Sequence, residues 1–153
     1  MSHSVHFRPA TPTDQPALTP LILALYAEDG YAPMTTEKIA RTFNELLQRP
    51  DKGGIHLGEV EGKVVAYAIL IHYWSNEYGG NIATLDEIYT VPDWRGQGIA
   101  SHFIDYLIQQ PGLNPVAIQL EVTPDNLQAI AFYRKRGFVA ADNRHFFRAL
   151  HTQ

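Results

Sequence analysis

Residues 85–100 read Leu-Asp-Glu-Ile-Tyr-Thr-Val-Pro-Asp-Trp-Arg-Gly-Gln-Gly-Ile-Ala, and they constrain the fold more than any other stretch. After two acids the first half is β-branched and aromatic, the composition of a strand. Pro92 and Asp93 end that strand, because proline cannot donate to a sheet ladder. Arg95-Gly96-Gln97-Gly98 then makes a turn that few side chains obstruct. From Ile99 the apolar residues recur at helical spacing, with Ile99, Phe103, Tyr106 and Leu107 on one face. A glycine turn that opens a helix exposes unpaired backbone N–H groups at the positive end of the helix dipole. Such an end favours an anion, typically phosphate. The three-glycine dinucleotide fingerprint and the Gly-Lys-Ser/Thr phosphate loop are both absent.

The rest of the chain supplies the elements around this turn. Residues 5–8 read as a short first strand. Asp14 is placed to cap a helix with Pro16 in its first turn and Leu18, Leu21, Ile22, Leu25 and Tyr26 on one face. Gly30 can end it. Thr35 or Thr36 can cap a second helix to about Gln48, with Ile39, Phe43, Leu46 and Leu47 buried. From Ile55 the period becomes two. Glu61-Gly62 is a hairpin turn between that strand and a long apolar strand over residues 63–74. The strand of residues 82–91, the helix from Ile99 to about Gln110, and a strand over residues 116–122 follow. A last helix after Asn126 closes at Gly137, and residues 138–140 and 144–150 read as two final strands. The reading is one α/β domain over residues 1–153, a mixed sheet of about seven strands flanked by about four helices.

Composition narrows the chemistry. A net charge of −4 argues against general nucleic-acid binding, which needs clustered cations. The chain has no cysteine, which removes disulfides, thiolate nucleophiles and cysteine zinc sites. Its seven histidines lack the spacing of a helical metal site, so no metal is expected. His56, His72 and His102 read as ordinary strand or surface residues. No apolar run approaches the roughly 20 residues that span a bilayer. With no signal peptide legible at the N-terminus, the expected location is cytoplasmic.

A second motif begins at Asn126: Asn-Leu-Gln-Ala-Ile-Ala-Phe-Tyr-Arg-Lys-Arg-Gly-Phe, ending at Phe138. Together, Arg95-x-x-Gly98-x-Ala100 and Asn126-x-x-Ala129-x-x-x-Tyr133-x-x-x-Gly137-Phe138 resemble the two signature segments of the GNAT superfamily of N-acetyltransferases. The element order resembles that fold along nearly the whole chain. The resemblance implies acetyl-CoA as cofactor, with its diphosphate on Arg95, Gly96, Gln97, Gly98, Ile99, Ala100 and Ser101. It implies that Ile88, Tyr89 and Thr90 hold the pantetheine arm by main-chain hydrogen bonds, as an added strand would. Their N–H groups could also polarise the thioester carbonyl. The family usually has valine where this chain has Thr90, a small departure because the contact is main-chain. Asn126, Ala129 and Lys135 fall on further cofactor positions, and Tyr133 falls on the general acid that protonates the leaving sulfur.

The acceptor side is less constrained. An amine is cationic at neutral pH and must lose a proton before it attacks, which suits a carboxylate. Leu85-Asp86-Glu87-Ile88-Tyr89 resembles the acidic segment of diamine acetyltransferases. On that likeness Asp86 falls on the polyamine-contacting position and is expected as amine binder, while Glu87 falls on the acid that many other members of the family use and is expected as base. Glu28, Tyr31, Trp74 and Tyr78 are candidate acceptor contacts, since acids among aromatics suit a cationic amine. The expected activity is direct transfer to a primary amine of a small molecule, polyamine-like or otherwise cationic. The alternatives are a protein or peptide acceptor, and a non-catalytic acyl-CoA-binding sensor module. Dimers are frequent in the resembled family, so a homodimer is one assembly open to the chain.

Overall fold

The computed structural model of the protein describes residues 3–30, 33–110 and 114–151. They fall into two compact units, Met1–Leu120 and Glu121–Gln153. The first unit runs β1 (His6–Pro9), α1 (Gln15–Asp29), α2 (Thr36–Gln48), β2 (Gly53–Val60), β3 (Lys63–Ser75), β4 (Gly80–Thr90), α3 (Ile99–Ile108) and β5 (Ala117–Gln119). The sheet order is β1-β2-β3-β4-β5. The first four strands pair antiparallel and β5 joins β4 in parallel. The second unit holds α4 (Leu127–Lys135).

The local signals have physical counterparts. Thr35 accepts a hydrogen bond from the Lys38 N–H at 3.2 Å, which caps α2. Gly30 ends α1 with φ +67°, a conformation that disfavours a side chain. Glu61 and Gly62 both have positive φ, +49° and +79°, the requirement of the tightest hairpin turn between twisted strands. Leu18 and Ile22 of α1 and Ile39, Phe43 and Leu46 of α2 bury against Ile55, Leu57, Tyr67, Ile69 and Tyr89 of the sheet. On the other face Phe7 packs against Phe103 of α3, ring centroids 4.6 Å apart, and His56 Nδ1 lies 3.1 Å from the Tyr106 hydroxyl.

One part of the expected fold is corrected. The described residues form five strands, not about seven. Residues 138–140 and 144–150 carry no strand, and the fifth strand spans three residues, Ala117–Gln119. Phenylalanine and valine in these segments fit a pleated surface, but a strand exists only where a neighbour supplies its ladder.

Asp14 ties β1 to α1. It accepts two hydrogen bonds from the Arg8 guanidinium, at 2.8 and 2.9 Å, and a third from the Thr11 N–H at 2.7 Å. Arg8 also donates to Glu59 on β2 at 3.0 Å. The Arg8 hydrogen bonds hold the buried Asp14 carboxyl well below the usual carboxylate range. Its stabilising effect is therefore complete above the unfolded carboxyl's pKa and fades as pH falls towards the folded value. Asp14→Asn is expected to cost about 2–3 kcal/mol at neutral pH by leaving Arg8 part-buried and short of a partner. Urea unfolding of both proteins should show that difference shrinking below roughly pH 4.

Candidate active site

The site is built on the sheet face that α1 covers. Ile69 of β3 pairs with Glu87 of β4, but the next β3 residue, Leu70, pairs with Leu85. Asp86 is thus the extra residue of a β-bulge, and bulges re-aim the side chains beside them. Without it Leu85 and Glu87 would share a face, since a strand has period two. With it Leu85 is buried opposite Leu70 and Glu87 sits opposite Ile69, on the face of Tyr67 and α1. Asp86 itself is exposed.

Glu87 is held from two elements. The Tyr67 hydroxyl of β3 donates to Glu87 Oε1 at 2.9 Å, and the Tyr26 hydroxyl of α1 hydrogen-bonds the same carboxylate. Burial pushes the Glu87 carboxyl up to about 7, the Asp86 charge adds to the rise, and the two tyrosine hydrogen bonds oppose it. A carboxylate near 7 is half ionised at neutral pH, the condition in which a base is both present and strong enough to act. Burial and the Glu87 charge push the Tyr67 phenol far up, so it stays a donor.

Neither Tyr67 nor Tyr26 is marked as a site residue by any motif of the sequence. A signal for Tyr67 was present: β3 is otherwise aliphatic there, and a buried phenol needs a hydrogen-bond partner. Tyr26 falls at an apolar position of the α1 face, where periodicity alone predicts packing.

Beyond Glu87 the edge of β4 opens. β5 pairs only with Ile82, Ala83 and Thr84. Among the described residues no strand lies beside Ile88, Tyr89 and Thr90 on that edge. A short 3-10 turn (Pro92–Trp94) then leads into the glycine loop. Gly96 and Gly98 have φ of +75° and +78°, which only glycine adopts readily. A β-carbon at Gly96 would meet no atom within 4 Å, so that side of the loop is open to an approaching ligand. Gly98 is the α3 N-cap and has no side chain to satisfy the first-turn N–H groups of Ile99, Ala100 and Ser101. An unpaired strand edge that runs into uncapped helix N–H groups fits a pantetheine arm followed by a diphosphate.

The other expected residues are placed as follows. Glu28, on the last turn of α1, meets Tyr89 and Arg95. Trp74 pairs with Asn81, five β3 residues from the partner of Glu87. At a strand's rise that is roughly 17 Å away. Trp74 and Tyr78 are both exposed at that end of the sheet, and the structure does not bring them to Glu87. Tyr31 lies outside the described residues. A cavity of about 800 Å³ also exists beside the C-terminal end of α3, lined by His56, Leu70, His72, Ala83, Leu107 and Ile118 among others. Burial, helped by His72, pushes His56 down to about 4 and burial also lowers His72, so at neutral pH this cavity presents neutral imidazoles, and the carboxylate in its lining, Asp51, is exposed and paired with Arg49.

In the second unit the motif at Asn126 has a clear structural logic. The Asn126 side chain accepts from the Ala129 N–H at 3.1 Å and caps α4. At the other end Phe138 N–H donates to the Tyr133 carbonyl and Gly137 N–H to that of Arg134, both at 3.1 Å. With Gly137 at φ +88°, this is the paired-bond glycine stop, complete with its hydrophobic contact. That contact is Tyr133 against Phe138, ring centroids 5.5 Å apart, while Phe132 packs edge-on at 5.1 Å. The spacing from tyrosine to Gly-Phe is therefore what clamps the Tyr133 ring. Burial raises its phenol, which keeps the hydroxyl protonated. Lys135 stands in the last turn of the same helix.

Residues 20–138 match the acetyltransferase (GNAT) family, and the chain belongs to that family. Its members are acetyltransferases that draw on acetyl-CoA. An uncharacterised N-acetyltransferase of Methanocaldococcus jannaschii is 34% identical over 104 residues, 67% of this chain and 46% of that protein. The chain thus spans about half the length of that relative. A possible acetyltransferase from Clostridium difficile superposes with a TM-score of 0.83 at 24% identity, over 96% of this chain and 99% of the other. An aminoglycoside N-acetyltransferase in complex with CoA superposes with a TM-score of 0.82 at 17% identity, over 99% and 98% of the two chains. At these identities both likenesses speak for the fold.

Proposed function

We propose that this chain transfers the acetyl group of acetyl-CoA directly to the primary amine of a small cationic molecule. The observation that carries the reading is Glu87: a carboxyl raised to about 7, clamped by two tyrosines, one residue before an unpaired strand edge. Bound acetyl-CoA would supply the activated thioester. The N–H groups of Ile88 and Thr90, which alternate away from β3, are then available to orient the arm and polarise the carbonyl. The loop N–H groups from Gly96 to Ser101 are the natural holders of the diphosphate.

Glu87, directly or through water, takes the proton of the ammonium so that a free amine attacks the carbonyl carbon. The new C–N bond forms as the C–S bond breaks. By its motif Tyr133 would give its proton to the departing sulfur and regain one, through water, from the newly acylated nitrogen, while the proton on Glu87 returns to solvent. Asp86 stands exposed on the bulge, where its charge can attract a cationic acceptor. The likeness of residues 85–89 to diamine acetyltransferases favours a polyamine-like acceptor. The test is a panel of diamines, polyamines, aminoglycosides and N-terminal peptides with release of free CoA as readout. Turnover is expected with small polyamines. Turnover with peptides alone would move the acceptor class. Acetyl-CoA binding without turnover on any acceptor would leave only the sensor reading.

A further inference from the structure

Arg95 opens the glycine loop, and a guanidinium beside a diphosphate site suggests a phosphate ligand. Its contacts say otherwise. Nε donates to the Thr90 carbonyl at 2.8 Å, which folds the side chain back on β4. Nη2 reaches both carboxylate oxygens of Glu28, at 2.9 and 3.1 Å. The guanidinium stands over the Tyr89 ring, 5.2 Å from its centroid. The Tyr89 hydroxyl closes the circuit by donating to Glu28 Oε1 at 3.2 Å. An isolated pair this exposed would contribute little. Here one planar fork is fixed by a carbonyl, a carboxylate and a ring face together, a geometry suited to arginine and not to lysine.

We propose that Glu28 and Arg95 form a strut that positions the cofactor loop, and that Arg95 is not a ligand of the diphosphate. This rests on the acetyl-CoA reading given above. The strut spans 67 residues of sequence and joins the end of α1 to the start of the loop. The same last turn of α1 carries Tyr26, which bonds Glu87. One helix end therefore sets both the base and the loop. Charge supports the assignment. Were Arg95 to swing onto a phosphate, Glu28 would be left as an unpaired anion near the cofactor's own negative charge. Held together, the pair is neutral and lets the loop N–H groups meet the diphosphate alone.

The two roles differ in sign for Glu28→Gln. Dissociation constants for acetyl-CoA and for acetyl-pantetheine, which lacks the diphosphate, would be measured by calorimetry on wild type, E28Q, R95Q, R95K and the double variant. A strut predicts that E28Q and R95Q each weaken acetyl-CoA by about 5–20-fold, and that the double variant is no worse than either, since the two residues act as one unit. It predicts that R95K fails to rescue, that acetyl-pantetheine binding stays unchanged, and that KM for acetyl-CoA moves more than kcat. A phosphate ligand predicts tighter acetyl-CoA binding in E28Q and substantial rescue by R95K, and either result would overturn the proposal. Loss of acetyl-pantetheine binding along with acetyl-CoA would also overturn it, because the effect would then not be confined to the loop. Failure of wild type to bind acetyl-CoA at all would instead strike the functional reading beneath it.

Discussion

Glu87→Gln is expected to lower kcat/KM for the best amine acceptor by about 10²–10⁴-fold, the usual contribution of a positioned general base. Glutamine keeps the size and still accepts from Tyr67, so the geometry of the β4 bulge survives while the proton acceptor is lost. The pH profile separates this from mere distortion. In wild type, activity is expected to rise with pH through a limb near 7, where burial has placed the carboxyl. In the variant that limb disappears and only the acceptor's own ionisation remains. Stability moves in the opposite sense. A carboxyl raised from 4.5 to about 7 binds its proton more tightly in the folded than in the unfolded state. Its contribution is fully present below the unfolded pKa and is lost as pH rises through the folded one. Between those values wild type loses on the order of 3 kcal/mol from this group, at about 1.4 kcal/mol per pH unit. Glutamine does not titrate, so the variant should be the flatter of the two in urea midpoint against pH. A variant with unchanged kcat/KM across the pH range would remove Glu87 from the mechanism.

What the sequence made legible is what local chemistry decides. Thr35, Gly30, Asn126 and Glu61-Gly62 each do their work within a few residues, so their roles could be read from neighbours alone. The glycine loop was legible for the same reason, because positive φ at Gly96 and Gly98 is a demand of the turn itself. The bulge at Asp86 was not, since a bulge is a property of two strands and exists only once β3 sets its register. Nor was the clamp on Glu87, whose tyrosines lie 20 and 61 residues away in sequence. Likeness alone assigned Glu87 the base's role and Asp86 the amine binder's, with no contact to tell the two neighbours apart. Pairing made them unequal, one exposed on the bulge and one held between phenols. The two final strands failed for the converse reason: their composition describes a surface that could pair, and composition cannot supply the partner.

Tyr133→Phe should lower kcat by roughly 10²-fold and leave the dissociation constant of acetyl-CoA unchanged, because a general acid acts on the leaving sulfur and not on the bound ground state. The substitution removes one oxygen from a ring whose position is set by Phe132, Phe138 and the Gly137 stop, and those contacts do not need the hydroxyl. Fold and helix end are thus expected to persist, which circular dichroism and a melting curve would check. The phenol is raised by burial, so it stays protonated throughout the working range and adds no limb of its own near neutrality. The variant should therefore keep the wild-type limb near 7 while losing rate at every pH, the reverse of the Glu87 result. Leaving-group basicity gives the sharper test. Without a proton donor the thiolate must depart unaided, so thioesters of more acidic thiols should recover much of the lost rate in the variant and gain little in wild type. Equal sensitivity of the two enzymes to the thiol's acidity, or an unchanged kcat, would return Tyr133 to the role of a packed aromatic.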